Sequence, residues 1–121
     1  MSIWVWCAVV IIGGAGSVLR FLVDRAVASR SGRDFPFGTL VINLSGALIL
    51  GFLTGLALSR DQALLAGTAA VGSYTTFSTW MFETERLAED RELGRAGANV
   101  LVSLVVGVAA AALGKWIGGL L

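Results

Sequence analysis

Asn43 is the residue whose type and place most need a reason. It lies inside an apolar run, Phe37 to Leu58, with Thr39 four residues before it and Gly46 three after it. At that spacing the three share one face of a helix. An unpaired amide in hydrocarbon costs several kcal/mol, so Asn43 must face a partner helix or a water-filled cavity. A second polar segment, Gly72-Ser73-Tyr74-Thr75-Thr76-Phe77-Ser78-Thr79-Trp80, crowds five Ser and Thr hydroxyls into another apolar run. β-Branched Thr and backbone-bonding Ser compete with the helical ladder. Within a membrane an interrupted helix is tolerated only where its freed carbonyls meet protein, water or an ion. An interruption is therefore expected near Gly72 to Thr75. Beyond it Phe77 and Trp80, three apart, share a face. A third row, Asn99, Ser103, Gly107 and Ala111, recurs every fourth residue as one narrow face of small and polar groups. That face either packs against a neighbouring helix or lines an aqueous path, and its spacing leaves both open. The chemistry on offer is hydrogen-bond donation by neutral groups. No His, carboxylate pair or activated nucleophile accompanies it, which argues against an enzyme.

The elements that must hold these residues follow from the spacing of charge. Of 121 residues, 56% are hydrophobic and 14% charged, and the mean hydropathy is +0.83. A soluble domain carries about 25% charged residues, so a soluble enzyme, a disordered tail and a secreted disulfide scaffold are excluded. The single cysteine, Cys7, can form no intrachain disulfide. A net charge of +1 gives nucleic acid or acidic partners no support. Four stretches, Ile3–Val23, Phe37–Leu58, Ala63–Phe82 and Ala96–Leu120, are long enough to cross about 30 Å of hydrocarbon at roughly 1.5 Å per helical residue. Apolar runs without alternation are helices rather than barrel strands. The expected fold is an all-α membrane protein, one domain over residues 1–121, with four transmembrane helices and the third broken near its middle. Between the spans are expected a polar loop (Asp24–Pro36), a tight turn (Ser59–Gln62) and a charged loop (Glu83–Arg95). Arg20 and Lys115, each near the end of a span, are the charged residues outside those loops and can snorkel to the headgroups. The first span has no basic leader and no small-residue cleavage site, so it reads as a span rather than a signal peptide. Gly13-Gly14-Ala15-Gly16 imitates a dinucleotide loop, but Leu19 stands where the third glycine belongs. Glycines at Gly51 and Gly55, and at Gly114 and Gly118, form two GxxxG pairs suited to close helix contact.

Three blocks resemble the Fluc (CrcB) fluoride channels of microbial membranes, and the resemblance covers essentially the whole chain. They are Gly13-Gly14-Ala15-Gly16 with Arg20, Gly38-Thr39-Leu40-Val41-Ile42-Asn43, and Gly72 through Trp80 followed by Glu83. The last is similar to the family's Gly-Gly-Phe-Thr-Thr-Phe-Ser-Thr-Phe segment. Here Ser73 replaces the second glycine, Tyr74 replaces a Phe or Leu, and Trp80 stands where the second phenylalanine of the family's phenylalanine box belongs. Ser103 matches a pore-lining serine, and Asn99 stands where some members have tyrosine.

The resemblance implies a passive fluoride-selective channel in a prokaryotic plasma membrane, protecting the cell by exporting fluoride. It implies an antiparallel dual-topology dimer with two pores, each built from both subunits. By that analogy Asn43 donates its amide to fluoride, Phe77 and Trp80 offer positive ring edges, and Thr39, Ser78, Thr79 and Ser103 supply hydroxyls along the path. Arg20 is expected toward the vestibule. A structural sodium is implied at the dimer centre, held by the backbone carbonyls of Gly72 and Thr75 from both subunits. The competing classes are a small proton-coupled multidrug-type transporter and a non-conducting scaffold subunit. A transporter needs an ionisable residue within the bilayer, whereas no Asp or Glu lies in any span and Glu83 only marks the end of the third.

Charge also bears on orientation. Arg25, Arg30, Arg33, Arg86, Arg91 and Arg95 fall on one side by span counting, and only Arg60 and Lys115 on the other. The positive-inside rule would place the Arg-rich side in the cytoplasm. A chain that inserts both ways would be nearly unbiased, so the partner is a second copy or an oppositely biased paralogue.

Overall fold

The structure is a computed structural model that describes residues 1–121. It is all helical, in the order α1 (Ile3–Ser31), α2 (Phe37–Gly55), α3 (Arg60–Ala63), a π-helical segment (Leu64–Val71), α4 (Gly72–Tyr74), α5 (Ser78–Glu89) and α6 (Leu93–Gly119). Three helices, α1, α2 and α6, are long and apolar enough to cross a membrane. Only 15 of 121 residues are buried, while Trp4, Val10, Ile11, Phe21, Val105 and Val108 stand more than half exposed. An outer surface of that kind has lipid, not water, as its solvent.

The helices do not end where the apolar runs end, and here the sequence expectations need correcting. α1 continues through the expected Asp24–Pro36 loop as far as Ser31. Asp24 to Ser31 contains no Gly or Pro, so the helix leaves the apolar run without a stop signal. It stops at Gly32, whose φ of +73° is glycine's territory and whose N–H bonds back to the Ala28 carbonyl. Most of the expected Glu83–Arg95 loop is likewise helical. α5 runs to Glu89, and the chain turns only through residues 90–92, with Arg91 at φ 59°, before α6 begins at Leu93. The expected Ser59–Gln62 turn is the start of α3. The Ser59 hydroxyl accepts from the Gln62 N–H at 3.2 Å and the Gln62 side chain accepts from the Ser59 N–H at 3.0 Å, a reciprocal cap. α2 ends at Gly55 instead of Leu58.

α2 and α6 form the most extensive contact in the fold, and the two GxxxG pairs face each other across it. A Cβ on Gly114 would run into the Leu48 carbonyl, one on Gly51 into the Ala111 carbonyl, and one on Gly118 into the Phe52 carbonyl. Backbone against backbone is the closeness that small residues permit in a membrane. α1 lies against the π segment and α4, where Gly16 leaves room for the Ser73 hydroxyl and the Ala70 carbonyl.

Candidate functional site

From Leu64 to Val71 the backbone is π-helical, a geometry that appears mostly as short bulges in helices and often at functional sites. Tyr74 ends the rod. Thr75, anchored by its N–H and hydroxyl to the Val71 carbonyl, swings to ψ 163°. Helical conformation resumes at Ser78. A segment so opened must find partners for its amides elsewhere, and the partner is Asn43. Its Nδ2 donates to the Thr76 carbonyl at 2.8 Å, and its Oδ1 accepts from the Thr76 N–H at 2.9 Å. The Asn43 side chain thus stands in for a missing turn of helix. One N–H of its NH₂ group is used in this way, and the second is left over. The Thr76 hydroxyl then accepts from the Thr79 N–H at 3.2 Å, in the manner of an N-cap, and donates to the Thr79 hydroxyl at 3.1 Å. Gly46, the third member of the α2 polar face, makes room for the Thr75 methyl.

Beside this opening runs a groove of about 700 Å³ whose walls include Asn43, Thr76, Phe77, Trp80, Ser103 and Gly107. Phe77 and Trp80 meet edge to face, with centroids 5.8 Å apart and planes at 85°, the arrangement that aromatic quadrupoles favour. Phe77 is 69% exposed and stands out into the groove mouth. The indole N–H of Trp80 donates to the Asn99 carbonyl on α6 at 3.0 Å.

The expected site residues therefore separate. Asn43, Phe77, Trp80 and Ser103 line one groove. Thr39 lies away from it, 2% exposed, with its hydroxyl donating to Glu83 Oε1. Ser78 and Thr79 are exposed and are not part of the groove wall, and the Thr79 hydroxyl is taken by Thr76. Arg20 reaches the opened segment itself, its Nη1 donating to the Thr75 carbonyl at 3.3 Å. Sequence reasoning missed Thr76, the residue on which Asn43 acts. It also missed the Thr39–Glu83 contact that ties α2 to α5. Polar residues at 39 and 83 were visible as types, but nothing local pairs positions 44 apart. Glu83 lies one residue beyond the third apolar stretch, and burial pushes its carboxyl above the ordinary 4.5. The Thr39 hydrogen bond opposes that, Asp24 adds to it, and Arg33 and Arg86 oppose it. Asp24 is itself paired with Arg33 at 3.3 Å.

The carbonyls implied for sodium can be tested against this geometry. Gly72 O receives no bond from the Thr76 amide, which goes to Asn43, so it is open to a hard cation. Thr75 O is already shared with the Arg20 guanidinium, and a fixed positive charge at that oxygen repels a second cation. One of the two ligands fits as it stands. The other fits only with Arg20 turned aside.

The comparisons with known proteins agree across almost the whole chain. A family model described as "CrcB-like protein, Camphor Resistance (CrcB)" matches residues 7–115. A protein of Mycobacterium bovis named "Fluoride-specific ion channel FluC 2" is 62% identical over 117 residues, covering 97% of this chain and 93% of its own length. A protein of the same name from Mycolicibacterium paratuberculosis is 66% identical over 114 residues, covering 94% and 93%. "Fluoride-specific ion channel FluC 1" of Leifsonia xyli is 40% identical over 117 residues, covering 93% and 85%.

Proposed function

The chain belongs to the CrcB-like family, and on that footing we propose that it is a passive fluoride-selective channel that lets fluoride leave a prokaryotic cell. What carries this reading is 62% identity along 97% of the chain to a protein named for fluoride conduction, joined to a mostly apolar groove whose wall includes Asn43, Ser103, Phe77 and Trp80. Fluoride is a compact, strong acceptor, and a path must replace the water it gives up. The spare N–H of Asn43, the Ser103 hydroxyl and the ring edges of Phe77 and Trp80 supply weak, repeated attraction along that wall. Sites of that kind bind well enough to admit an ion and loosely enough to release it. A lysine or arginine in the groove would hold fluoride too firmly, and none lines it.

A single chain leaves the groove open on one side, with Phe77 protruding. A second copy laid antiparallel would close it and bring two opened segments together. Each chain would cross four times, by α1, α2, α6 and, in two pieces, the π segment with α4 followed by α5. Two Gly72 carbonyls, and two Thr75 carbonyls once Arg20 turns aside, would then surround one sodium ion and fasten the subunits. The arginine bias between the two sides leaves room for an oppositely inserted paralogue, and relatives bear the paired names FluC 1 and FluC 2. A proton-coupled transporter would need a titratable group within the bilayer, and the apolar runs contain no Asp or Glu. The test is fluoride efflux from liposomes carrying the purified chain, beside a chloride control. Rapid fluoride release with chloride retained supports the channel, and equal leakage of both anions defeats it.

A further inference from the structure

Trp80 brings to the groove a group that phenylalanine would not, a strong and directional N–H donor. Turned toward the groove, that N–H would bind any halide, and with fluoride it would add one firm contact to a path that works by weak ones. The structure disposes of it. The N–H donates to the Asn99 carbonyl at 3.0 Å. Asn99 Nδ2 donates to the Thr84 hydroxyl at 2.8 Å, and that hydroxyl donates in turn to the Trp80 carbonyl at 2.8 Å. The three residues make a closed ring of hydrogen bonds between α5 and α6 that grips Trp80 by its indole and its backbone together. Asn99 is 1% exposed, yet its Oδ1 is buried without a partner. A leucine of similar size would avoid that orphaned acceptor, but it would lack the N–H that Thr84 accepts.

We propose that Thr84 and Asn99 are positioning residues that lock the Trp80 indole with its N–H turned away from the groove, so that only its ring edge meets the ion. The inference rests on the channel reading for its consequence, anion selectivity, while the lock itself is observable without conduction.

The test uses the full chain with Trp4, Trp6 and Trp116 replaced by Phe, exposed residues remote from the groove, so that emission reports Trp80 alone. Fluorescence anisotropy, quenching by aqueous iodide, and liposome efflux of fluoride and chloride are measured for this parent, for Thr84→Val and for Thr84→Ser. Efflux is also measured for Trp80→Phe with and without Thr84→Val. Thr84→Val leaves the indole's own bond to the Asn99 backbone carbonyl and removes the side-chain tie between Asn99 and the Trp80 carbonyl that holds α6 against α5 beside it. A tie worth one net hydrogen bond shifts the locked-to-free balance roughly two- to twelvefold. Thr84→Val should therefore lower the anisotropy, and raise both iodide quenching and the chloride-to-fluoride ratio within that range. Thr84→Ser, which keeps the hydroxyl, should restore all three. The effect of Thr84→Val on the ratio should vanish in the Trp80→Phe background. Unchanged anisotropy and quenching in Thr84→Val would overturn the lock. A ratio that shifts equally with Trp80→Phe present would overturn the positioning role. Should the parent carry no fluoride, the channel reading falls, and the fluorescence arms still decide the lock.

Discussion

Replacing Asn43 by alanine removes two hydrogen bonds, and the consequence can be worked from what they hold. Interhelical hydrogen bonds in membranes average only about 0.6 kcal/mol each, because the groups released usually find other partners. Thr76 has none nearby. Its residue is 9% exposed, Thr75 before it is extended, and no helical ladder passes through the opening. Two buried backbone groups left unpaired cost about 1–3 kcal/mol each, so the orphaned groups dominate and Asn43→Ala should lose about 2–6 kcal/mol. The loss should be local. Denaturation in detergent would read the stability, and hydrogen exchange by mass spectrometry would show peptides spanning residues 74–79 losing protection while the α2–α6 contact keeps its own. Fluoride flux should fall as well, because the same change removes the spare N–H from the groove. Stability within about 0.5 kcal/mol of the parent, the ordinary range for an inconsequential surface change, together with unaltered exchange at residues 74–79, would refute the view that Asn43 braces the opening.

Phe77→Ala should cut fluoride efflux at least tenfold, about 1.4 kcal/mol, with little loss of stability, since the ring is 69% exposed in the single chain; efflux and melting curves measured together check both halves. Gly114→Val would drive a side chain into the Leu48 carbonyl, which cannot move aside as a side chain can, so the cost should exceed the usual 1–3 kcal/mol of overpacking and appear as lost folded protein on size exclusion. Glu83 has its carboxyl raised by burial, so the folded chain holds that proton more tightly than the unfolded one. The associated stability is present below the unfolded value near 4.5 and is lost as pH rises through the higher folded value. Melting scans should show that loss in the parent and its absence in Glu83→Gln.

How much was legible in the sequence depended on whether a feature was local. The GxxxG pairs at Gly51/Gly55 and Gly114/Gly118 marked two faces for close helix contact because small residues at helical spacing have few other uses in lipid, but that the two faces meet each other is seen only in the fold. Asn43 stood out because a polar amide in an apolar run must be satisfied by something. What satisfies it, the Thr76 backbone 33 positions away, has no local signature. The same holds for Trp80 and Asn99, and for Thr39 and Glu83, whose contacts α5 creates by packing against α2 and α6. Helix ends were misjudged at Val23 and Phe82 for a physical reason. Hydropathy marks where lipid ends, whereas a helix continues until a residue such as Gly32 offers it a way out.

Conduction by this chain is proposed to be passive and selective for fluoride, and one measurement addresses both at once. Liposomes holding the purified chain and loaded with potassium fluoride are diluted into fluoride-free buffer, and release is followed with a fluoride electrode, with and without valinomycin. A channel moves charge, so fluoride should stay inside until the ionophore lets potassium follow, and should then leave at once; liposomes loaded with potassium chloride should retain their anion under the same treatment. Fluoride release at full speed without valinomycin, or chloride release matching it, would contradict passive, fluoride-selective conduction.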